Sequence, residues 1–206
     1  MFKLSRKIKA IMAKIKLHVV VFFAKNSDLI IDCGANVGKY TRTFARKNRV
    51  VYAFEPNPYA FNVLSSLFKT YPRVHCINKA VSTSNGRIPL YLHNNTREDN
   101  VKWSVASSIF SDKGNVSKGI SVDVETVHLL DFIKSLNCEI YLLKMDIEGA
   151  EYDIILELIK GGVINKIKYL FVETHANRVK SLEGKHSELV SLIRDNKIHN
   201  ISLDWE

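Results

Sequence analysis

Ile30-Ile31-Asp32-Cys33-Gly34-Ala35-Asn36-Val37-Gly38-Lys39-Tyr40-Thr41 decides the fold. An apolar run ends near an acid, the chain turns through glycine, and a helical pattern follows at once. This describes a buried strand, Leu29–Cys33, feeding a helix over Val37–Lys47. Gly34 and Gly38 allow a ligand to approach the backbone closely, and the helix N-terminus offers unpaired N–H groups. About 20 residues on, a second strand, Val50–Phe54, ends at Glu55, where an acid is placed to bind two ribose hydroxyls.

The loop also discriminates between nucleotide ligands. A dinucleotide pyrophosphate asks for G-x-G-x-x-G, so that its charge rests on backbone amides. Here Asn36 replaces the second glycine, and Asp32 sets a carboxylate at the turn. That charge repels a pyrophosphate and suits a ligand carrying an ammonium group, such as the methionine part of S-adenosylmethionine.

Outward from the loop, short apolar runs alternate with helical stretches. A helix over Pro58–Lys69 opens at Asn57-Pro58, and Val74–Asn78 is a third strand. Residues 81–125 break the rhythm, with an Asn85-Gly86 turn and strands at Ile88–Leu92 and Ile120–Val124 around a polar loop. A helix over Val127–Leu136 precedes the strongly apolar strand Ile140–Asp146, and a helix over Ala150–Lys160 is stopped by Gly161-Gly162. Ile167–Thr174 is a strand, Lys185–Asp195 a helix, and Ile198–Leu203 the one clear strand after Glu173. Such alternation predicts an α/β, Rossmann-like fold, a mostly parallel sheet with helices on both faces. Trp103 and Trp205 carry no motif and read as packing residues.

The chain of 206 residues suits one domain, and its net charge of +9 is unevenly placed. Residues 1–25 hold seven of the 30 lysines and arginines and none of the 21 acids, so the remainder is nearly neutral. A basic surface for nucleic acid is therefore not indicated by charge alone. In the same segment Leu4, Ile8, Ile11, Met12, Ile15, Val19, Phe22 and Phe23 follow the spacing of one helical face. We divide the chain into a basic amphipathic helix, 1–26, and a domain, 27–206. The helix has two readings: its apolar face packs on the domain or a second copy, or residues 1–25 make peripheral contact with an anionic membrane. The apolar run is too short to span a bilayer and lacks an export cleavage site. With three dispersed cysteines, this fits a cytoplasmic location, with the membrane surface as a variant.

Five blocks, Asp32–Tyr40, Phe54-Glu55-Pro56-Asn57-Pro58, Asn78-Lys79-Ala80-Val81-Ser82, Leu142–Glu151 and Phe171-Val172-Glu173-Thr174-His175, stand in one order. Together they resemble the motifs of the FkbM family of class I methyltransferases, over about residues 27–175, with L-L-K-x-D-x-E-G-A-E the most distinctive. The resemblance implies S-adenosylmethionine binding and O-methylation, commonly of sugars, macrolides or other secondary metabolites. In that family a serine pair similar to Ser107-Ser108 lies in the irregular insert.

Active sites of open α/β sheets lie beyond the carboxyl ends of the strands, where Asp32, Glu55, Asn78, Asp146 and Glu173 gather. Asp32 and Glu55, with the backbone of Gly34, Ala35, Asn36 and Gly38, are assigned to the cofactor, and Asn78 and Ala80 to the vicinity of the adenine. Lys144, Asp146, Glu148, Glu173 and His175 are left for a small-molecule or glycan acceptor. Asp146 or His175 is the candidate general base, and Lys144 the candidate partner of a developing alkoxide. Asp146, Glu148 and Glu173 form an alternative Mg²⁺ site, since hard oxygen ligands suit that ion. Glu148-Gly149 has a plainer reading as a helix-start device, and Glu151 and Tyr152 read as helix surface and packing. Nucleic acid is disfavoured as acceptor, because the block after the fourth strand is Asp146-Ile147-Glu148-Gly149 and two acids sit badly near phosphates. The competing functions are an RNA ribose methyltransferase and a non-catalytic domain that binds a cofactor or a partner.

Overall fold

The computed structural model describes residues 6–93, 116–174 and 182–203. Trp103, Ser107, Ser108, His175 and Trp205 lie outside these residues. A six-stranded parallel sheet forms the frame, built from β1 (Leu29–Cys33), β2 (Val50–Phe54), β3 (Val74–Ile77), β7 (Ile140–Met145), β8 (Ile167–Val172) and β9 (Ile201–Ser202). Their order is β3-β2-β1-β7-β8-β9, so the direction of build reverses between β1 and β7. A crevice opens at such a reversal, beyond the carboxyl ends of the two strands.

Both faces of the sheet are buried, and the two-residue period of the strands separates them. Ile30, Val51, Ala53, Leu142 and Phe171 point to one side, where they meet α1 (Arg6–Phe23), α2 (Lys39–Phe44) and α3 (Pro58–Phe68). Ile31, Cys33, Leu143, Met145 and Val172 point to the other, against α4 (Leu129–Ser135), α5 (Glu151–Lys160) and α6 (Glu183–Asp195). Asn57 caps α3 by accepting from the Tyr59 N–H at 3.0 Å, with Pro58 in the first turn.

The strands at Leu29–Cys33 and Val50–Phe54 match the sequence expectation residue for residue. The helix expected over Val37–Lys47 is shorter at both ends. Asn36 and Gly38 take positive φ of 50° and 86°, which keeps the chain in a loop until Lys39, and Lys47 and Asn48 do so again within the short turn Arg46–Asn48 that follows α2. The insert holds more structure than expected. β4 (Ala80–Ser82), β5 (Gly86–His93) and β6 (Val116–His128) form a separate three-stranded sheet in the order β4-β6-β5, with Ala80, Leu90, Leu92 and Val124 in a small core. Because β6 runs on to His128, α4 begins at Leu129 and not at Val127.

α1 turns out opposite to the face its sequence pattern suggests. Ala13, Leu17, Val20, Val21 and Ala24 are buried against the domain. The stripe from Ile8 through Phe23 points outward, with Phe22 68% and Phe23 71% exposed. Docking is fixed at the C-terminal end of the helix. The buried Arg49 guanidinium donates to the Val21 and Ala24 carbonyls at 2.8 and 3.0 Å, and the Tyr141 hydroxyl donates to Val20 O at 2.8 Å. Cationic donors at a helix C-terminus satisfy its last carbonyls and complement its dipole.

Gly34 and Gly162 both have positive φ, but a Cβ on Gly34 would lie 1.9 Å from the Asp146 carbonyl oxygen, whereas one on Gly162 meets nothing within 4 Å. Gly162→Ala should therefore cost about 1 kcal/mol of backbone strain, and Gly34→Ala about 3 kcal/mol or more because the β1 and β7 ends must separate. Chemical denaturation of both variants checks this, and equal losses would show that backbone conformation alone fixes Gly34.

Candidate active site

Register places Asp32 of β1 directly beside Lys144 of β7. Both side chains are buried, Asp32 completely. Lys144 Nζ lies 3.3 Å from Asp32 Oδ1, donates to Gly34 O at 2.8 Å, and lies 3.6 Å from Asp146 Oδ2. The Thr41 hydroxyl of α2 donates to Asp32 Oδ2 at 2.7 Å. Burial alone would push the Lys144 ammonium down, but Asp32 and Asp146 outweigh it and hold its pKa above the ordinary lysine value. One cation thus joins the glycine loop, the first helix turn after it and the end of β7.

The loop is shaped from the other side by Glu55. Gly34 and Ala35 donate their N–H groups to Phe54 O at 3.0 and 2.9 Å. Glu55 Oε2 accepts from the Asn36 N–H at 2.7 Å, and Oε1 accepts from the Asn57 N–H at 2.8 Å. Asn is among the residues that best tolerate a left-handed backbone, which accounts for its presence at φ 50° where the second glycine of the dinucleotide pattern is missing. Burial raises the Glu55 carboxyl to about 7, against the pull of the two amides and Lys144.

Between these elements lies a cavity of about 240 Å³ at the β1/β7 reversal. Gly34, Ala35, Asn36 and Glu55 form one wall, and Phe54, Pro56, Ala80, Val81 and Leu90 make an apolar end. Tyr40, Lys144, Asp146, Ile147, Glu148 and Ala150 close the other end. Asp146 is partly exposed there, 29% by side chain. Glu148 adopts φ 61°, a conformation that side-chain-bearing residues rarely hold outside constrained sites. The turn carrying both acids is fixed from below by Glu151, which is fully buried and accepts from the Ile147 N–H at 3.1 Å.

Several sequence expectations change in this light. Asp32 is sealed under α2 with Thr41 and Lys144, so it has no surface to offer an ammonium and acts on the loop instead. Gly38 does not line the cavity; a Cβ there would strike Phe68 Cε2 at 2.8 Å, so it is glycine for the packing of α2 on α3. Asn78 is exposed and donates to the Glu55 and Pro56 carbonyls at 2.8 and 3.1 Å, and it is its neighbours Lys79, Ala80 and Val81 that line the cavity. Lys144 reaches the cavity but is engaged by Asp32, Asp146 and Gly34 O. Asp146, Glu148 and Glu173 are not brought together as a Mg²⁺ site: Glu173 is 6% exposed and outside the cavity lining, and no group of three His, Cys, Asp or Glu among the described residues converges on a cation position. Glu151 is an internal strut and not helix surface. His175 lies outside the described residues. Tyr40 and Leu90 were not anticipated; Tyr40 stands two residues beyond the second loop glycine, and nothing in the insert marks Leu90 apart from its apolar character.

Removing the charge of Lys144 alone leaves Asp32 buried and unmatched, so Lys144→Met should cost about 3–5 kcal/mol of stability. The double variant Asp32→Asn/Lys144→Met should lose clearly less than the two single losses combined. A double-mutant cycle by denaturation checks the coupling, and simple additivity would show that the pair is not a unit.

Residues 32–198 match the methyltransferase FkbM domain. The chain is similar to 2-O-methyltransferase NoeI of Sinorhizobium fredii, 29% identical over 84% of this chain and 72% of that protein. It is also similar to methyltransferase sdnD of Sordaria araneosa, 29% identical over 66% of this chain and 61% of that one. Among solved structures, an rRNA methylase from Streptococcus thermophilus aligns with a TM-score of 0.48 at 9% identity, covering 87% of this chain and 76% of that one. The match covers most of the chain, including the loop, Glu55 and the 144–151 turn described above, and this protein belongs to the FkbM methyltransferase family.

Proposed function

We propose that this chain transfers a methyl group from S-adenosylmethionine to a hydroxyl of a sugar, glycan or other small metabolite. The observation that carries the reading is the Glu55 carboxylate, presented by two backbone amides at the wall of a cavity lined by both apolar and charged side chains. Each carboxylate oxygen keeps acceptor capacity for a ribose hydroxyl. The apolar end formed by Phe54, Ala80, Val81 and Leu90 suits an adenine ring, and the turn of Gly34, Ala35 and Asn36 suits the methionine part. Bound there, S-adenosylmethionine supplies an electrophilic methyl group.

Asp146 is the proposed general base, taking the acceptor hydroxyl proton as the oxygen–methyl bond forms and the sulfur–methyl bond breaks. Lys144 is a positioning residue, holding the Asp146 carboxylate at the cavity and the Gly34 carbonyl in the loop. A hydroxyl acceptor fits the name of the Sinorhizobium relative, a 2-O-methyltransferase.

The ribose hydroxyls would donate to Glu55, so the ionised form is the binding form. With the carboxyl raised to about 7, cofactor affinity should increase with pH, about tenfold per unit below 7, and level off above it. Calorimetry with S-adenosylhomocysteine from pH 5.5 to pH 8.5 tests this. Glu55→Gln should flatten the profile and weaken binding about 10- to 150-fold at pH 8, the worth of a charge-assisted hydrogen bond. A profile as steep in the variant as in the wild type would remove Glu55 from the cofactor.

Asp146→Asn separates chemistry from binding. Transfer of labelled methyl from S-adenosylmethionine into a panel of sugar and glycan acceptors should fall about 10²- to 10⁴-fold in kcat, with S-adenosylhomocysteine affinity held. Retained turnover would dismiss Asp146 as the base.

A further inference from the structure

We propose that the outward face of α1 docks on an anionic lipid bilayer surface, laying the helix in the headgroup plane. The face is continuous: Ile8, Ile11, Met12, Ile15, Val19, Phe22 and Phe23 repeat at three- and four-residue intervals, and each is between 46% and 71% exposed. At 3.6 residues per turn they cover a stripe about 120° wide. The opposite face is already occupied, since Leu17, Val20 and Val21 are buried in the core between helix and sheet. The exposed stripe is thus a second apolar surface, not the ordinary buried face of an amphipathic helix.

Charge selects the occupant. Lys14 and Lys16 fall on opposite margins of the stripe, as the residue angles of a helix dictate. At its C-terminal end the domain adds Lys47, whose ammonium lies 5.2 Å over the Phe22 ring and donates to Phe22 O at 2.9 Å. Residues 1–25 contain seven cations and no acid. Apolar side chains in a stripe with lysine on both sides match a bilayer, where the stripe enters the acyl boundary and the lysines reach anionic headgroups. A second copy of the same face offers no acid to these cations and would oppose lysine to lysine. No helix among the described residues is long and apolar enough to cross a membrane, so the contact is of the surface kind.

The test is co-sedimentation of the full chain with vesicles of neutral phosphatidylcholine, alone or with about one third phosphatidylglycerol, set by the charge dependence of such binding. We expect binding to the anionic vesicles that drops at least tenfold on neutral ones and weakens with added salt. Ile15→Glu/Phe23→Glu should abolish it with the melting temperature unchanged, because both side chains are exposed in the folded chain. Lys14→Glu/Lys16→Glu should reduce it while leaving the stripe intact. Absence of vesicle binding, equal binding to both compositions, or binding unaltered in the Ile15/Phe23 variant would each overturn the proposal. So would a dimer in light scattering that dissociates in that variant and binds no vesicles. These readouts use no cofactor or acceptor, so they stand or fall separately from the methyl-transfer reading.

Discussion

Lys144 sits where a positive charge has almost no access to water. Its neighbours must therefore be arranged to keep it satisfied, and they are the parts from which the cavity is made: the Gly34 carbonyl, Asp32, and Asp146. Desolvation of a lone ammonium would cost several kcal/mol, so the folded chain has little freedom to move any of these away from it. Thr41 extends the constraint into α2, and the close approach of Gly34 to the Asp146 carbonyl leaves no slack between β1 and β7. The glycine loop is held by this internal charge pair from below and by Glu55 from the side, before any ligand arrives.

The strands of the large sheet were legible because each is short, apolar and bounded by turn residues. Leu29–Cys33 and Val50–Phe54 needed nothing beyond that pattern. The parts that misled are those where one residue type serves two purposes. Gly38 suggests ligand approach in any sequence. Here it answers a phenylalanine ring supplied from 30 positions away in the chain, while Gly34 both lines the cavity and makes room for a carbonyl oxygen 112 positions on. Asp32 looked like a ligand group because its buried counter-charge comes from β7, and only the register of β1 on β7 makes Lys144 its neighbour. Helix α1 was left open between two readings for a different reason. Periodicity identifies an apolar stripe but not which way it points, and the smaller side chains Ala13, Val20, Val21 and Ala24 made the buried face less conspicuous than the exposed one. The sheet of β4, β5 and β6 was half visible, since its strands alternate but its shortest member, Ala80–Ser82, had only a motif resemblance to mark it.

The cavity is electrostatically divided. At the Glu55 end a carboxyl is kept out of water but supplied with two amide donors, which leaves its charge finely balanced. At the Asp146 end the acids are partly open and stand on a turn that is itself strained at Glu148 and braced by Glu151. A braced turn holds a side chain where reaction geometry needs it, and strain of this kind persists only where surrounding contacts over-determine it.

The contact between Gly34 and the Asp146 carbonyl bears on how such a protein diversifies. The two walls it joins are pressed together through backbone atoms, so a substitution that shifts one displaces the other, and neutral drift at either is curtailed. Leu90 stands on a separate small sheet, where it packs with Ala80, Leu92 and Val124 in a core of their own. Descendants of this gene are therefore freer to remodel that side of the cavity, and lineages should diverge there first while the strand-end walls change little and only in concert.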